Sequence, residues 1–95
     1  MSDLIFEWDE DKARANLHKH QVSFEEAKTV LGDPLSITIS DPGHSQDEDR
    51  YNDIGRSAGG RLLVVSYTER DLAIRLISCR PATQAERRIY EEGSE

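Results

Sequence analysis

Cysteine, proline and long apolar runs are scarce in this sequence. The single cysteine, Cys79, cannot form an internal disulfide, and no stretch approaches the roughly 20 consecutive apolar residues that a membrane span needs. The first residues contain no basic segment followed by a long apolar run, so a secretory signal is not expected. These absences favour a reducing, cytoplasmic location and predict no contact with a membrane.

Metal-ligating residues and cofactor motifs are equally sparse. The three histidines and one cysteine do not have the usual zinc spacing, and His18 and His20 would point to different faces of a helix. The sequence contains no phosphate-binding loop, no dinucleotide-binding glycine motif and no serine-hydrolase motif. We therefore expect no metal site and no cofactor, and a classical hydrolase triad is disfavoured.

The length and the apolar pattern indicate one folded domain. The 95 residues suffice for a single domain, 1–95, with frayed ends at about 1–3 and 93–95. Only 36% of the residues are hydrophobic, but they cluster, as in the run Leu62–Val65, which is typical of a folded chain.

Periodicity and turn residues predict an α+β fold. A short N-terminal strand is followed by a helical hairpin, a four-stranded antiparallel meander and a C-terminal helix, with the helices packed on one face of the sheet. Capping boxes are expected where Ser23 precedes Glu26 and where Thr83 precedes Glu86, and Gly32 is expected to end the second helix. The predicted elements are a strand at 4–8, helices at 10–19 and 24–31, strands at 35–40, 50–57, 61–68 and 72–80, and a helix ending near 92, with a loop at 41–47 and turns at 58–60 and 69–71.

Charge is distributed unevenly along the chain. The net charge of -7 alone argues against nucleic-acid binding, which depends on cations that displace counterions from phosphates. Residues 50–80, however, carry six basic and only three acidic side chains, and all six basic ones are arginines, whose planar forks bind phosphate in a bidentate manner. The six are Arg50, Arg56, Arg61, Arg70, Arg75 and Arg80.

Arginines on one sheet face would suit RNA cleavage by the 2′-hydroxyl. That reaction needs a base, an acid and positive charge near the phosphate, and no metal ion is obligatory. The arginines could supply the charge. The candidates for proton transfer, which the residues alone do not rank, are His20, Glu48, Glu69, Glu86, Tyr67 and Tyr90.

Strand alternation limits which arginines can share a face. Arg50 and Arg56 are six residues apart and lie on the same face of a regular strand. Arg75 and Arg80 are five apart, so they lie on opposite faces unless a β-bulge intervenes. A solvated face without any site also remains compatible with this pattern.

Four segments in series resemble the BrnT toxins. The match covers about residues 5–92, with the elements in order. The segments are Phe6–Asp9 with Lys12, Asn16 and Lys19–Phe24; Glu48–Tyr51 with Ile54–Ser57; Leu62 with Tyr67–Arg70; and Ile74–Thr83 with Glu86–Glu92. Gln21 stands where the family usually has glycine, so a left-handed backbone there would carry a steric cost.

The resemblance implies a ribonuclease toxin with a RelE-like fold. Such toxins inhibit translation and growth and are neutralised by BrnA, a ribbon-helix-helix antitoxin, and operator DNA is bound only through the antitoxin. The family positions carried over are His20, Arg50, Arg56, Tyr67, Arg80 and Glu86. With Arg75 added from the basic segment, we expect catalysis by His20, Arg50, Arg80 and Tyr67, and RNA binding by Arg56, Arg75 and Glu86.

Two other functions are compatible with the residues. The chain could be a non-catalytic module that binds an acidic or amphipathic protein on its arginine-rich sheet, or a structural domain with no site. Cleavage of RNA would distinguish the ribonuclease hypothesis from both of these alternatives.

Overall fold

The computed structural model describes residues 5–40 and 50–93. Within these ranges the chain forms a mixed α+β domain with a five-stranded sheet and three helices, as expected for the fold class. The predicted loop at 41–47 and the candidate Glu48 lie outside the described residues. The elements are β1 (Ile5–Glu7), α1 (Glu10–His20), α2 (Phe24–Val30), β2 (Ile37–Ser40), β3 (Arg50–Arg56), β4 (Leu62–Arg70), β5 (Ala73–Pro81) and α3 (Gln84–Gly93).

The sheet contains the predicted meander and one additional strand. Its order is β1-β5-β4-β3-β2, and β2 to β5 pair antiparallel in sequence order. β1 pairs parallel with β5, with Phe6 opposite Ile74. No partner was predicted for β1, because the sequence of a three-residue strand does not specify one.

Both ends of α1 have caps that the structure shows directly. The C-terminal end of α2 matches its sequence signal in position but not in backbone conformation. Asp9 Oδ1 accepts the amide of Asp11 at 2.8 Å, as an N-cap should. Gln21 ends α1 in the left-handed region with a φ of 60°, so the chain adopts the strained conformation at this position. Gly32 follows the C-cap Leu31 and ends α2 at the predicted position, but its φ is not positive. The helix ends instead through bonds to carbonyls three residues back, from the amides of Leu31 and Gly32 to Lys28 and Thr29.

Strand β4 is longer than predicted at its C-terminal end. It continues to Arg70, and the turn to β5 is made by Asp71 and Leu72, with Asp71 at a φ of 50°. The predicted turn at 69–71 was therefore placed too early. Asp71 tolerates the left-handed region better than most residues, since its short polar side chain can bond locally.

Helices cover both faces of the sheet. The first face packs against α1 and α2 around a core that includes Leu63 and Val65, whereas Tyr90 of α3 packs on the second face against Ile54 and Val64. The expectation that all helices pack on one face was wrong. Every residue of 62–65 is buried, because alternate side chains enter two different cores.

The single cysteine lies inside the first core. Cys79 is fully buried, and burial raises the pKa of its thiol to about 12. None of the described helices has the length and apolarity of a membrane span.

Candidate functional site

A β-bulge in β5 puts Arg75 and Arg80 on the same sheet face as Arg50 and Arg56. Ser66 pairs with Ser78, but the next residue of β4, Tyr67, pairs with Leu76, which leaves Ile77 without a partner. This additional residue restores the alternation, so Arg75 and Arg80 point the same way. Cross-strand pairing adds Arg50 and Arg56 to that side. We call this side of the sheet the arginine face.

A row of three residues crosses the middle strands on the arginine face. Thr68 of β4 is directly opposite Arg50 of β3 and Arg75 of β5. Thr68 is only 4% exposed. Among the described residues, neither its Oγ1 nor the buried Nε of Arg50 has a hydrogen-bond partner. Buried polar atoms of this kind are rare and costly, which suggests that a bound group satisfies them.

A second polar row lies beside the first. Asn52, Ser66 and Ser78 are opposite one another on β3, β4 and β5, and all three are partly buried. The hydroxyl of Ser66 donates to Asn52 Oδ1 at 2.5 Å. The two rows form one surface, which we call the polar patch: Arg50, Asn52, Ser66, Thr68, Arg75 and Ser78.

Glu7 lies at the β1 border of the polar patch. Its register partner is Arg75, and Arg75 Nη1 donates to its Oε2 at 3.3 Å. Both side chains are partly exposed, at 41% for Glu7 and 32% for Arg75. An exposed pair of this kind contributes little stability, so a phosphate can displace the carboxylate from Arg75 at small cost.

Arg80 and Glu86 form a bidentate ion pair at the start of α3. Both guanidinium Nη atoms donate to the carboxylate at 2.8 Å. Glu86 also accepts the amide of Thr83 at 2.9 Å, and its own amide donates to Thr83 Oγ1, which confirms the predicted capping box. The hydrogen bonds from Arg80 lower the pKa of Glu86 to about 2. The pair holds α3 on the sheet, and the predicted roles of both residues in RNA chemistry stay predictions.

Arg56 shares the arginine face but lies apart from the polar patch. It is six residues from Arg50 in β3, which corresponds to about 20 Å along a strand. Its guanidinium lies 5.7 Å from the centre of the Tyr90 ring, and Nη1 donates to the carbonyl of Gly60. Because Tyr90 packs on Ile54, which lies between Arg50 and Arg56 in β3, α3 separates the two arginines.

Tyr67 lies on the opposite face from the arginines. It is 7% exposed in the first core, and its hydroxyl donates to Asp53 Oδ1 at 3.0 Å. Burial raises the pKa of this hydroxyl well above its usual range. The placement corrects the expectation that Tyr67 joins the arginines, because its even spacing from Leu63 and Val65 puts it in the core.

His20 lies beside the free edge of β5. β1 pairs only with residues 73–75 of β5, which leaves the rest of this edge to α1. His20 at the end of α1 is partly buried and lines a groove with Ile77 and Ser78. Since Ser78 belongs to the polar patch, the groove adjoins the patch at this point.

Asn16 fastens α1 to this edge. Its Nδ2 donates to the carbonyls of Val22 and Cys79, both at 2.9 Å, and its Oδ1 accepts the amide of Cys79 at 3.0 Å. The side chain is 6% exposed. It substitutes for a neighbouring strand where β1 has ended, and it determines where His20 lies relative to β5.

Thr68 and the serines of the polar patch were not among the predicted site residues. Ser66 and Thr68 alternate with the buried Val65 and Tyr67, a signal that marks them as one face of a strand. That signal alone does not distinguish a binding row from a solvated one. The distinguishing feature is the burial of Thr68 between two arginines, which depends on strand pairing.

The chain is similar to a known protein family and to a solved structure. The family described as the ribonuclease toxin BrnT of type II toxin–antitoxin systems matches residues 8–86. The 1.1 Å crystal structure of the Brucella abortus ribonuclease toxin BrnT is similar to this fold, with a TM-score of 0.63 and 25% sequence identity, over 86% of this chain and 100% of the Brucella chain. No curated protein sequence matches significantly. The family match spans most of the chain, and the chain belongs to the BrnT family of ribonuclease toxins of type II toxin–antitoxin systems.

Proposed function

We propose that this ribonuclease toxin cleaves RNA without a metal ion and that the scissile phosphate binds over the row Arg50–Thr68–Arg75. The observation that carries the proposal is the pair of unpartnered buried atoms, Arg50 Nε and Thr68 Oγ1, within this row. β3 and β5 are two strand spacings apart, about 10 Å, so the two guanidinium groups can reach one anion from both sides. Arginine forks and a hydroxyl are donors that suit phosphate oxygens.

The chemistry of the row is charge stabilisation. Attack by the 2′-hydroxyl develops negative charge on the phosphate. Fixed cations close to the phosphate stabilise that charge and so lower the activation barrier of cleavage. The two arginines would supply the positive charge that a metal ion supplies in metal-dependent cleavage. Two bordering side chains are our candidates for proton transfer, His20 at the β5 edge and Glu7 beside Arg75. Arg80 borders the patch at the end of β5, where it pairs with Glu86 of α3.

The partner that we propose is a BrnA-like antitoxin with a ribbon-helix-helix DNA-binding part. The type II family implies a protein antitoxin, and the resemblance of four segments supports this finer assignment. Operator DNA would then bind only through the antitoxin, and the toxin would act in the cytoplasm, on RNA, with a RelE-like arrangement of its sheet.

Cleavage of bulk RNA in EDTA tests the function. We expect the purified toxin to fragment RNA at an undiminished rate when EDTA is present, because arginines supply the positive charge. Gel analysis of the fragments and their 5′ ends also separates internal from terminal cleavage. Loss of activity in EDTA that Mg²⁺ restores would contradict metal independence. A folded protein that leaves RNA intact would favour the non-catalytic protein-binding module instead.

The substitution Thr68→Val is expected to change stability and RNA binding in opposite senses. Valine keeps the shape and removes a buried hydroxyl without a partner, a group that costs about 1–3 kcal/mol. We expect the free energy of unfolding to rise by about 1 kcal/mol, which raises Tm by about 4–8 °C. RNA should bind roughly tenfold more weakly, because one hydrogen bond to a charged group is lost.

The matched control is Thr29→Val. The Thr29 hydroxyl donates to the carbonyl of Glu26 at 2.7 Å and accepts the amide of Ala58 at 2.8 Å. The same substitution should therefore lower Tm there and leave RNA affinity unchanged. Equal destabilisation by both substitutions would show that the Thr68 hydroxyl is already satisfied in the free protein.

A further inference from the structure

We propose that the groove between α1 and β5 binds the RNA backbone next to the scissile phosphate. This inference rests on the proposed function, because it extends the same RNA strand beyond the polar patch. The groove encloses about 210 Å³. Its lining consists of Lys12, Ala15, Asn16, Lys19, His20, Ile77 and Ser78.

The groove is lined by cations and by no carboxylate. Lys12, Asn16 and Lys19 are spaced four and three residues apart, so they occupy one face of α1. Neither lysine forms an ion pair with any described residue, unlike Arg14 and Lys28 on the same helical hairpin. Lys12 interacts electrostatically with Asp9, but Asp9 is outside the groove lining. In a chain of net charge -7, two ammonium groups in a groove lined by no carboxylate make a local positive field that attracts phosphates.

The groove and the polar patch are adjacent surfaces. Asn16 holds α1 against Cys79, and the bulge at Ile77 lies at the junction of the helix and the strand. Ser78 belongs to both the patch and the groove. Ser78 and Arg75 are opposite Ser66 and Thr68, which are two residues apart in β4, so they lie about 7 Å apart along the sheet. A single RNA strand on the row Arg50–Thr68–Arg75 can thus cross Ser78 and place a neighbouring phosphate between the two lysines.

The charge and shape favour single-stranded RNA as the occupant. Lysine binds phosphate as a point charge without demanding a fixed geometry, which suits a backbone that carries no sequence information. The groove contains no phenylalanine, tyrosine or tryptophan, and its one ring, that of His20, is the candidate for proton transfer. The groove therefore contacts the RNA backbone, and residues outside the groove recognise the bases.

The test compares the double variant Lys12→Gln/Lys19→Gln with the control Arg14→Gln/Arg88→Gln. Both remove two positive charges, and the control residues lie outside the groove lining. The probe is a 12-nucleotide single-stranded RNA with 2′-O-methyl riboses, which cannot be cleaved. We expect the slope of log Kd against log salt concentration to fall by about 1.4 for the lysine variant, because each phosphate contact on a single strand contributes about 0.7. At 0.1 M salt its Kd should rise roughly 10- to 30-fold.

The outcomes separate this inference from the proposed function. If the lysine variant binds the probe with the slope of the control while Arg75→Ala still abolishes cleavage, the groove assignment is wrong and the proposed function stands. If the wild type itself neither binds nor cleaves RNA, the proposed function fails first. Weakened antitoxin binding with unchanged RNA binding would identify the groove as an antitoxin contact and overturn the proposal. Unchanged Tm values confirm that the exposed substitutions leave the fold intact.

Discussion

Replacement of Arg75 by alanine is expected to lower the rate of RNA cleavage by about 100- to 1000-fold, the usual effect of removing one donor that stabilises charge in a transition state. Arg75 is partly exposed and its only described ion pair is with the half-exposed Glu7, so the fold should tolerate the change. Arg50→Ala should have an effect of the same order, because Arg50 faces Thr68 from the other side. Single-turnover cleavage rates of the purified variants measure both effects.

The conservative variant Arg75→Lys distinguishes charge from geometry. Lysine retains the charge and lacks the planar fork, so we expect it to recover only part of the lost rate. Arg88→Ala, an exposed position on α3, removes the same charge elsewhere and should leave the rate within twofold of the wild type. If Arg75→Ala stays within tenfold of the wild type, the row does not hold the scissile phosphate.

Asn16→Leu is expected to lower the free energy of unfolding by about 2–4 kcal/mol. The substitution keeps the size of the side chain and removes three hydrogen bonds, leaving the amide and carbonyl of Cys79 and the carbonyl of Val22 without their partner. Each buried group that loses its partner costs about 1–3 kcal/mol, of which leucine returns a part through its apolar surface. For a domain of this size, the loss corresponds to a decrease in Tm of roughly 10–25 °C.

The neighbouring residue provides the control for Asn16. Leu17 is 49% exposed, so Leu17→Ala should change the free energy of unfolding by less than about 1 kcal/mol. Thermal unfolding followed by circular dichroism compares the two. If Asn16→Leu unfolds within 4 °C of the wild type, the edge of β5 does not depend on this side chain, and water replaces it.

The elements determined by neighbouring residues could be predicted from the sequence, and those determined by distant ones could not. The reciprocal bonds of Thr83 and Glu86 were predicted because both partners lie within one turn. At α2, Ser23 caps Glu26 as expected, but the Glu26 carboxylate binds Arg61 instead of the Ser23 amide. That competition involves a residue 35 positions away.

The same distinction applies to the site. The shared face of Arg50 and Arg56 followed from alternation alone, whereas the question of Arg75 and Arg80 remained open until the pairing with β4 revealed the bulge. A bulge is a property of two strands, and one strand's sequence does not specify it. The side of the sheet that α3 covers is likewise determined by tertiary packing of Tyr90.

The unpaired residue in β5 also bears on how such genes can vary. β5 has one residue more than its pairing with β4 requires, and that residue is Ile77. An in-frame loss of its codon would leave Arg75 and Arg80 on one side and Leu76 and Cys79 on the other, because regular alternation would then apply throughout. Loss of the Cys79 codon would instead turn Ser78 towards the core. Homologous toxins that differ in length by one residue between these arginines can therefore keep both arginines on the same face of the sheet.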